Sequence, residues 1–598
     1  MSSIPEFLNV KEGCPSGTCS PVLSWSPLPQ KRQLNFIKNS SSNNKNYNEN
    51  KQPLYPNCDF TIWLRSCQEE IKFPIYGKIS GDIPKWLNGS LIRNGPGSLK
   101  VGDEEFTHLF DSSGLLHKFG IKNGEVTYQC RFLQSDVYKK NWKAKRIVHS
   151  EFGTKIVEDP CHSIFKRIAT VFSKEVSDNS MISVYPFGDE LYAFGETSMI
   201  HRIDTETLET KEKVNIGEYV SIVSHTSHPH VLKSGTVYNL GMSISSSGIY
   251  HNIVEFPQTE TGFSKSMFEK ARIVASVPAR WRLHPSYMHS FGITDNYYII
   301  VEQPLSISVL GLISSKLNNE PLAGCFRWYH EEYTRITVIS RTNGEVFETF
   351  FAKSFFYLHI INQYEMDNHI VLDICMYKDP SMLDCMYIET MKTMQQNPDY
   401  AKMFRGRPAR FVLPLEPNRD AAESRNLVTL KNVRAKAYYM SNKKILVEPE
   451  KLCDIGCETP RINYENYLGK PYRYFYAISA DVDADNPGTL IKVDVSSHST
   501  KTWCEKNCYP SEPIFVPCPD SKVCFLDRKW VNKSATFRTK CTSKSFYFSI
   551  SVFLSSFNIY LIYSIQIKFF KVIFCEIISS LAVKYVGQKV PLSSLSFV

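Results

Sequence analysis

Helical periodicity is scarce in this 598-residue chain, so a fold built mainly from amphipathic helices has little support. Also missing is any lysine- and arginine-dense face interleaved with aromatic residues. A net charge of +9 over such a length is modest. Together these exclude a nucleic-acid-binding role, while leaving an anionic membrane surface compatible with the charge balance. The opening "MSSIPEFLNV" has no basic segment followed by an apolar one, so no secretory signal is expected and the location expected is cytoplasmic. The 17 cysteines are odd in number and scattered, which without export reads as reduced thiols. Two C-x3-C pairs, Cys453/Cys457 in "CDIGC" and Cys504/Cys508 in "CEKNC", together offer four thiolates to zinc. Their loose spacing and strand-like surroundings favour ordinary buried or loop thiols.

What the chain does have is strand. Residues 1–52 are mostly polar, with "NSSSNNKNYNENK" as their extreme, and hold too little apolar surface to offset the entropy of ordering. From residue 53 the texture changes. Runs rich in β-branched and aromatic residues, such as "GEVTYQCRFL", "SMISVYPFGDELYAFGET" and "YRYFYAISADVD", recur between Gly, Asp, Asn and Pro. Turn signals at strand spacing argue for a large all-β domain over 53–522. A β-propeller accommodates so many strands better than a sandwich, because radial blades add strands without enlarging one sheet. One interruption, "CHSIFKRIATVF" (161–172), places Ile164, Phe165, Ile168, Val171 and Phe172 on one helical face, with Lys166 and Arg167 opposite. It reads as an amphipathic helix in a membrane interface, with Cys161 as an acylation point, or as a helix packed on its own protein.

Three of the 15 histidines sit where strands meet turns. His359 lies in "FFYLHIINQYE", where a period of two puts Phe355, Tyr357, His359 and Ile361 on one face. His289 lies in "SYMHSFGIT" and His228 in "SHPHVLKSGTVYNLG". Taken alone, a buried histidine such as His359 is more often a hydrogen-bonded core residue than a metal ligand. Separations of 61 and 70 residues exclude one helix or hairpin as their common source, and suit a ring of similar units. Imidazoles converging from such units would form a nitrogen-only site, fit for iron, zinc or copper. Glu196, Glu458 and Glu512 stand in apolar or aromatic stretches. Each needs a partner there, either the free N–H of a ligating histidine or a buried Arg or Lys.

These residues, in this order, resemble the carotenoid cleavage oxygenase family, and within it the insect isomerooxygenase type. The matching phrases include "IPKWLNGSLIRNGPGS", "HLFDSSGLLHKF", "DNSMISVYPFGD", "SHPHVLKSGTVYNLG", "SYMHSFGIT", "FFYLHIINQYE", "CETPRINYENYLGKPYRYFYAISADVDADNPGTLIKVDV" and "YPSEPIFVP", over about residues 53–520. The resemblance implies a seven-bladed β-propeller capped by loops and short helices, with iron(II) held by four histidines at the axis. His228, His289 and His359 match three of those ligands, and Glu196, Glu458 and Glu512 match the carboxylates behind them. It further implies cleavage of a carotenoid at the central 15,15′ double bond by dioxygen, to retinal-type aldehydes for visual chromophore supply. One half would be isomerised from trans to 11-cis. The segment 161–172 matches a membrane-touching insert. Two rival readings are a catalytically silent carotenoid- or retinoid-binding propeller and a plain interaction propeller. The latter leaves the histidines and glutamates without a reason.

The match stops after "SEPIFVPCPDSK", and no histidine follows His498. The fourth ligand is therefore absent, the last blade is expected to be incomplete, and activity is expected to suffer. Residues 523–598 form an atypical hydrophobic tail, with no charge from Ser545 to Ile567. Its Phe, Ile, Lys, Tyr, Ser and Asn content is what A/T-rich non-coding DNA would encode if read through. A membrane anchor and a diverged blade are the alternatives.

Overall fold

The computed structural model describes residues 52–80, 83–156, 177–260, 262–479, 481–504 and 508–517, and the strand backbone of 534–538, 548–555, 558–566 and 584–585. Residues 1–51 and the expected helix 161–172 lie outside the described residues.

Strand-forming runs pair mostly with their neighbours in sequence, and six sheets of four to six strands succeed one another between Ile71 and Trp503. The first runs Ile71–Tyr76, Glu125–Phe132, Ser113–Lys122, Gly89–Ser98, with Lys584–Tyr585 at its edge. The second is Ser183–Phe187, Glu190–Phe194, Met199–Ile203, Thr210–Asn215. In the third, the short pieces Ser224–His225 and His230–Val231 both pair with Val237–Ser245, followed by Gly248–Phe256 and Arg272–Pro278. The fourth begins at Gly292–Ile293, the fifth at Phe356–Met366 and the sixth at Glu458–Arg461. This is an all-β propeller: the leading segments of sheets two to six line one common cavity, through Tyr185, His228, Phe291, His359 and Arg461. A further sheet joins Cys508–Pro510 and Ile514–Pro517 to the strands 558–566, 548–555 and 534–538, and then to Lys78–Ser80.

Apolar clusters between successive sheets hold the ring. Ile299, Val338 and Phe350 of the fourth meet Leu372 and Phe411 of the fifth. Val371 and Val412 of the fifth meet Phe475 and Ile491 of the sixth. The strand Ile514–Pro517 has two faces, as its period of two requires. Ile514 and Val516 pack on Leu91, Phe119 and Tyr128 of the first sheet, while Phe515 packs on Tyr476 and Leu490 of the sixth. It is the seam between the ends of the ring. Over the start of Phe356–Met366 lies a cap of short helices, Ser381–Cys385, Ile388–Lys392 and Tyr400–Met403, whose apolar side chains meet Phe356 and Leu358.

Among the described residues no helix is long and apolar enough to cross a membrane. Within the uncharged run, 548–555 and 558–566 are paired antiparallel strands. Cys453 and Cys457 are buried and Cys504 is exposed, and the Cys457 thiol meets that of Cys375 at 3.3 Å. The side chain of Cys508 lies outside the described residues.

Several histidines are buried as neutral rings. His108 donates from Nε2 to Leu383 O at 3.0 Å and accepts at Nδ1 from Phe110 N at 3.1 Å. His230 donates from Nε2 to Phe291 O at 2.9 Å and takes the Tyr464 hydroxyl at Nδ1 at 2.7 Å. Burial pushes His108 down to about 3, and His225 and His230 to about 4, from an ordinary 6.5. As pH falls below the ordinary value, the unfolded chain takes up protons that the folded chain refuses, so stability is lost, by at most about 2 kcal/mol per ring near pH 5. Thermal melting is expected to drop between about pH 7 and pH 5, with a shallower slope in His108→Gln. A melting temperature flat across that range contradicts the assignment.

Candidate metal centre

Three successive sheets each deliver one imidazole to the hub. His228 lies in the turn between Ser224–His225 and His230–Val231, where two short strand pieces leave room for a side chain to face inward. His289 lies on the loop entering Gly292–Ile293. His359 is on the strand Phe356–Met366, but not on the face that strict alternation predicts. The register with the neighbouring strand shifts between Tyr357 and Ile360, and such a bulge re-aims the side chain within it. Tyr357 therefore packs among Ile299, Val301 and Ile336, whereas His359 turns to the hub. Two hydroxyls tie these inner segments together across the sheets. Ser183 Oγ donates to Ser227 O at 2.7 Å, and Ser290 Oγ to Leu358 O at 2.6 Å.

The result is one cluster. One ligating atom from each of His228, His289 and His359 lies within 4.8 Å of the others. Ring centroids are 4.6 Å apart for His228 and His289, and 5.1 Å for each of these with His359. The Nε2 atoms of His228 and His289 stand 3.1 Å apart, and Nε2 of His359 is buried with no hydrogen-bond partner. Desolvation, then repulsion from His289 and His359, holds His228 well below the usual imidazole range. Imidazole nitrogens converging from three sheets are the donors that a borderline-soft cation requires. Among the described residues this is the only group of three or more His, Cys, Asp or Glu able to hold an ion.

Two of the three glutamates stand behind these rings. Glu196 Oε1 accepts from Nδ1 of His289 at 2.6 Å, and Glu458 Oε2 from Nδ1 of His359 at 2.5 Å. Each bond turns Nε2 of its histidine into a lone pair facing the hub. Burial opposes the charge on Glu458, but His359, the Thr459 N–H at 2.9 Å and the Tyr377 hydroxyl at 2.8 Å outweigh it, and its carboxyl lies below the usual range. Thr459 has φ of +47°, a left-handed conformation rare for a β-branched residue and costing about 1–3 kcal/mol. It lets the Thr459 N–H fold back on the Glu458 carboxylate. Glu512 is placed differently: it hydrogen-bonds to no described histidine and pairs with Arg461 Nε at 2.7 Å.

Comparison with known proteins places the chain in a family. Residues 64–524 match the family model described as retinal pigment epithelial membrane protein. The chain belongs to this carotenoid oxygenase family. It is 56% identical over 471 residues to the carotenoid isomerooxygenase of Galleria mellonella, covering 78% of this chain and 86% of the relative. Identity to the Drosophila melanogaster carotenoid isomerooxygenase is 50% over 533 residues, covering 78% and 85%. To the β,β-carotene 15,15′-dioxygenase of Rattus norvegicus it is 37% over 474 residues, covering 77% and 82%. A mutant of Synechocystis apocarotenoid oxygenase superposes with a TM-score of 0.66 at 19% identity, covering 90% of this chain and all of that one; at that identity the likeness concerns the fold.

For this member of the carotenoid oxygenase family, sequence reasoning overlooked two tyrosines. Tyr287 donates its hydroxyl to Glu196, at 2.9 and 3.0 Å from the two oxygens, and Tyr377 does the same for Glu458. Burial and then the adjacent carboxylates hold both phenols well above their usual value, so they remain donors. Tyr287 precedes its histidine by two positions in "SYMHS", a detectable signal. Tyr377 reaches Glu458 only through the pairing of sheets. Glu458→Gln is expected to weaken cobalt(II) or iron(II) binding about 10–100-fold in a chelator competition, and Tyr377→Phe by a smaller factor. Unchanged affinity in Glu458→Gln would show that His359 needs no carboxylate behind it.

Proposed function

We propose that this chain is an iron(II)-dependent oxygenase that cleaves carotenoids at the central 15,15′ double bond to retinal-type aldehydes, with trans-to-11-cis isomerisation of one half, for visual chromophore supply. The observation that carries the reading is the cluster of His228, His289 and His359 within 4.8 Å, in a chain of the carotenoid oxygenase family. The donor set fits the ion: neutral imidazole nitrogens, one of them buried and unpartnered. When bound, iron(II) supplies the capture and activation of dioxygen at positions the imidazoles leave open. The reaction balances without a reductant, because the two atoms of dioxygen become the two aldehyde oxygens of the cut double bond. Glu196 with Tyr287, and Glu458 with Tyr377, orient two of the rings. The apolar cap around Leu109, Phe356, Leu358 and Met386 keeps water from the side on which a hydrocarbon would lie. A silent carotenoid carrier would have no use for three desolvated imidazoles around one point.

The same proposal takes the sheet seamed by Ile514–Pro517 as the seventh blade, since that strand packs on both the sixth and the first sheets. Contact with a membrane is supported by the helix Val309–Asn318, which buries no residue. Leu310, Ile313 and Leu317 lie on one of its faces and are 62%, 54% and 53% exposed, beside exposed Leu283 and Leu322. An apolar stripe of this kind suits the surface in which a carotenoid is dissolved.

Purified protein is expected to bind iron and release retinal-type aldehydes from β-carotene, and His359→Ala to lose both. Aldehyde formed at an undiminished rate by metal-free protein overturns the reading. Leu310→Asp with Ile313→Asp is expected to weaken co-sedimentation with phosphatidylcholine/phosphatidylserine vesicles by at least ~tenfold while leaving iron content unchanged.

A further inference from the structure

Glu196 and Glu458 each hold a histidine; Glu512 does not. Its side chain is only 4% exposed, Oε1 accepts from Arg461 Nε at 2.7 Å, and Oε2 is buried with no hydrogen-bond partner. The carboxylate lines the same cavity as His228 and His359. No histidine follows His498 in the sequence, and no described histidine hydrogen-bonds to Glu512. A buried carboxylate oxygen left unpartnered is costly, by about 1–3 kcal/mol or more. Arg461 is committed to Oε1, so the second oxygen is left without a protein partner in a residue that lines the cavity.

Distance decides whether that occupant is the ion. Donors bound at about 2.1 Å lie within roughly 4.2 Å of one another. Glu512 is not part of the group whose atoms lie within 4.8 Å, so the carboxylate stands too far out to join the imidazoles directly. A ligand oxygen bound at about 2.1 Å that donates a hydrogen bond of about 2.7 Å puts its acceptor at roughly 4 Å or more from the ion. A carboxylate that lies outside the cluster yet lines the same cavity as two of its rings suits that role.

We propose that Glu512 is a positioning residue whose Oε2 accepts a hydrogen bond from a water molecule filling the coordination place beside His228, His289 and His359. This rests on the metal-centre reading above. The buried Arg461 fixes the carboxylate, and the water gives the free oxygen its partner. Glu512 thus serves a place that no described histidine fills, as Glu196 and Glu458 serve His289 and His359.

Cobalt(II) is the probe. Glu512→Gln keeps an oxygen for Arg461 and replaces the acceptor by an amide donor. X-ray absorption of the wild-type cobalt protein is expected to show an oxygen donor beside the nitrogens. Glu512→Gln is expected to bind cobalt about tenfold or more weakly in chelator competition, with a changed visible spectrum and an unchanged melting temperature. Glu512→Asp, which keeps the charge but withdraws the carboxylate by one methylene, gives the same direction of change should the glutamine variant fail to fold. Wild-type affinity and spectrum in the loaded variants, or a wild-type site with nitrogen donors alone, overturn this role of Glu512 and leave the histidine centre intact. A wild-type protein that binds no cobalt overturns both.

Discussion

Three imidazoles, two of them buried and one half-buried, whose ligating atoms lie within 4.8 Å of one another, are the constraint to which the rest of this fold answers. Protonated, they would repel each other in a medium that screens poorly. Neutral, each presents one N–H and one lone pair, and both need a destination. At His289 and His359 the N–H goes to a glutamate, which is itself held by a tyrosine hydroxyl. The lone pairs point at the hub. The tautomers are thus fixed by groups that never reach the hub themselves.

Such an arrangement can be built only where several chain segments approach one axis, and the propeller brings that about. The leading segments of the second to sixth sheets line one cavity, so a side chain there meets counterparts from other sheets rather than from its own hairpin. Precision comes from departures from regular strand geometry. The bulge beside His359 detaches it from the face of Tyr357, and the left-handed Thr459 brings its N–H to Glu458. Local strain at these two places is sustained by the apolar clusters on either side, which over-determine the backbone. The alternating strand Ile514–Pro517 does for the ring what the bulge does for the site, since it satisfies two neighbours at once.

The polar groups around the hub are not equivalent. Burial raises Glu512 above the ordinary carboxylate range, and Arg461 offsets this only in part. Glu458, with three donors, falls below it. One residue type, placed three times around a common point, therefore answers to different partners. Arg461 pairs with Glu512 and faces the same cavity as His228, adding positive charge that further favours unprotonated imidazole.

Much of this was legible in the sequence. The β texture, the recurring turn signals and the spacing of His228, His289 and His359 pointed to a ring with inward histidines, and resemblance supplied the pairing of histidine with glutamate. Periodicity failed at His359, because a two-residue period cannot announce a bulge that depends on the neighbouring strand's register. Glu512 looked the same as Glu196 and Glu458 in one dimension, yet lies against Arg461. The sequence by itself determined which residue types could reach an axis: isolated imidazoles and carboxylates in strand-rich, apolar surroundings. Only the tertiary structure decided which carboxylate meets which ring, and that Tyr287 and Tyr377 complete the contacts. The histidine–glutamate pairs at the hub join segments 93 and 99 residues apart, and that proximity is set by how blades pack rather than by anything local.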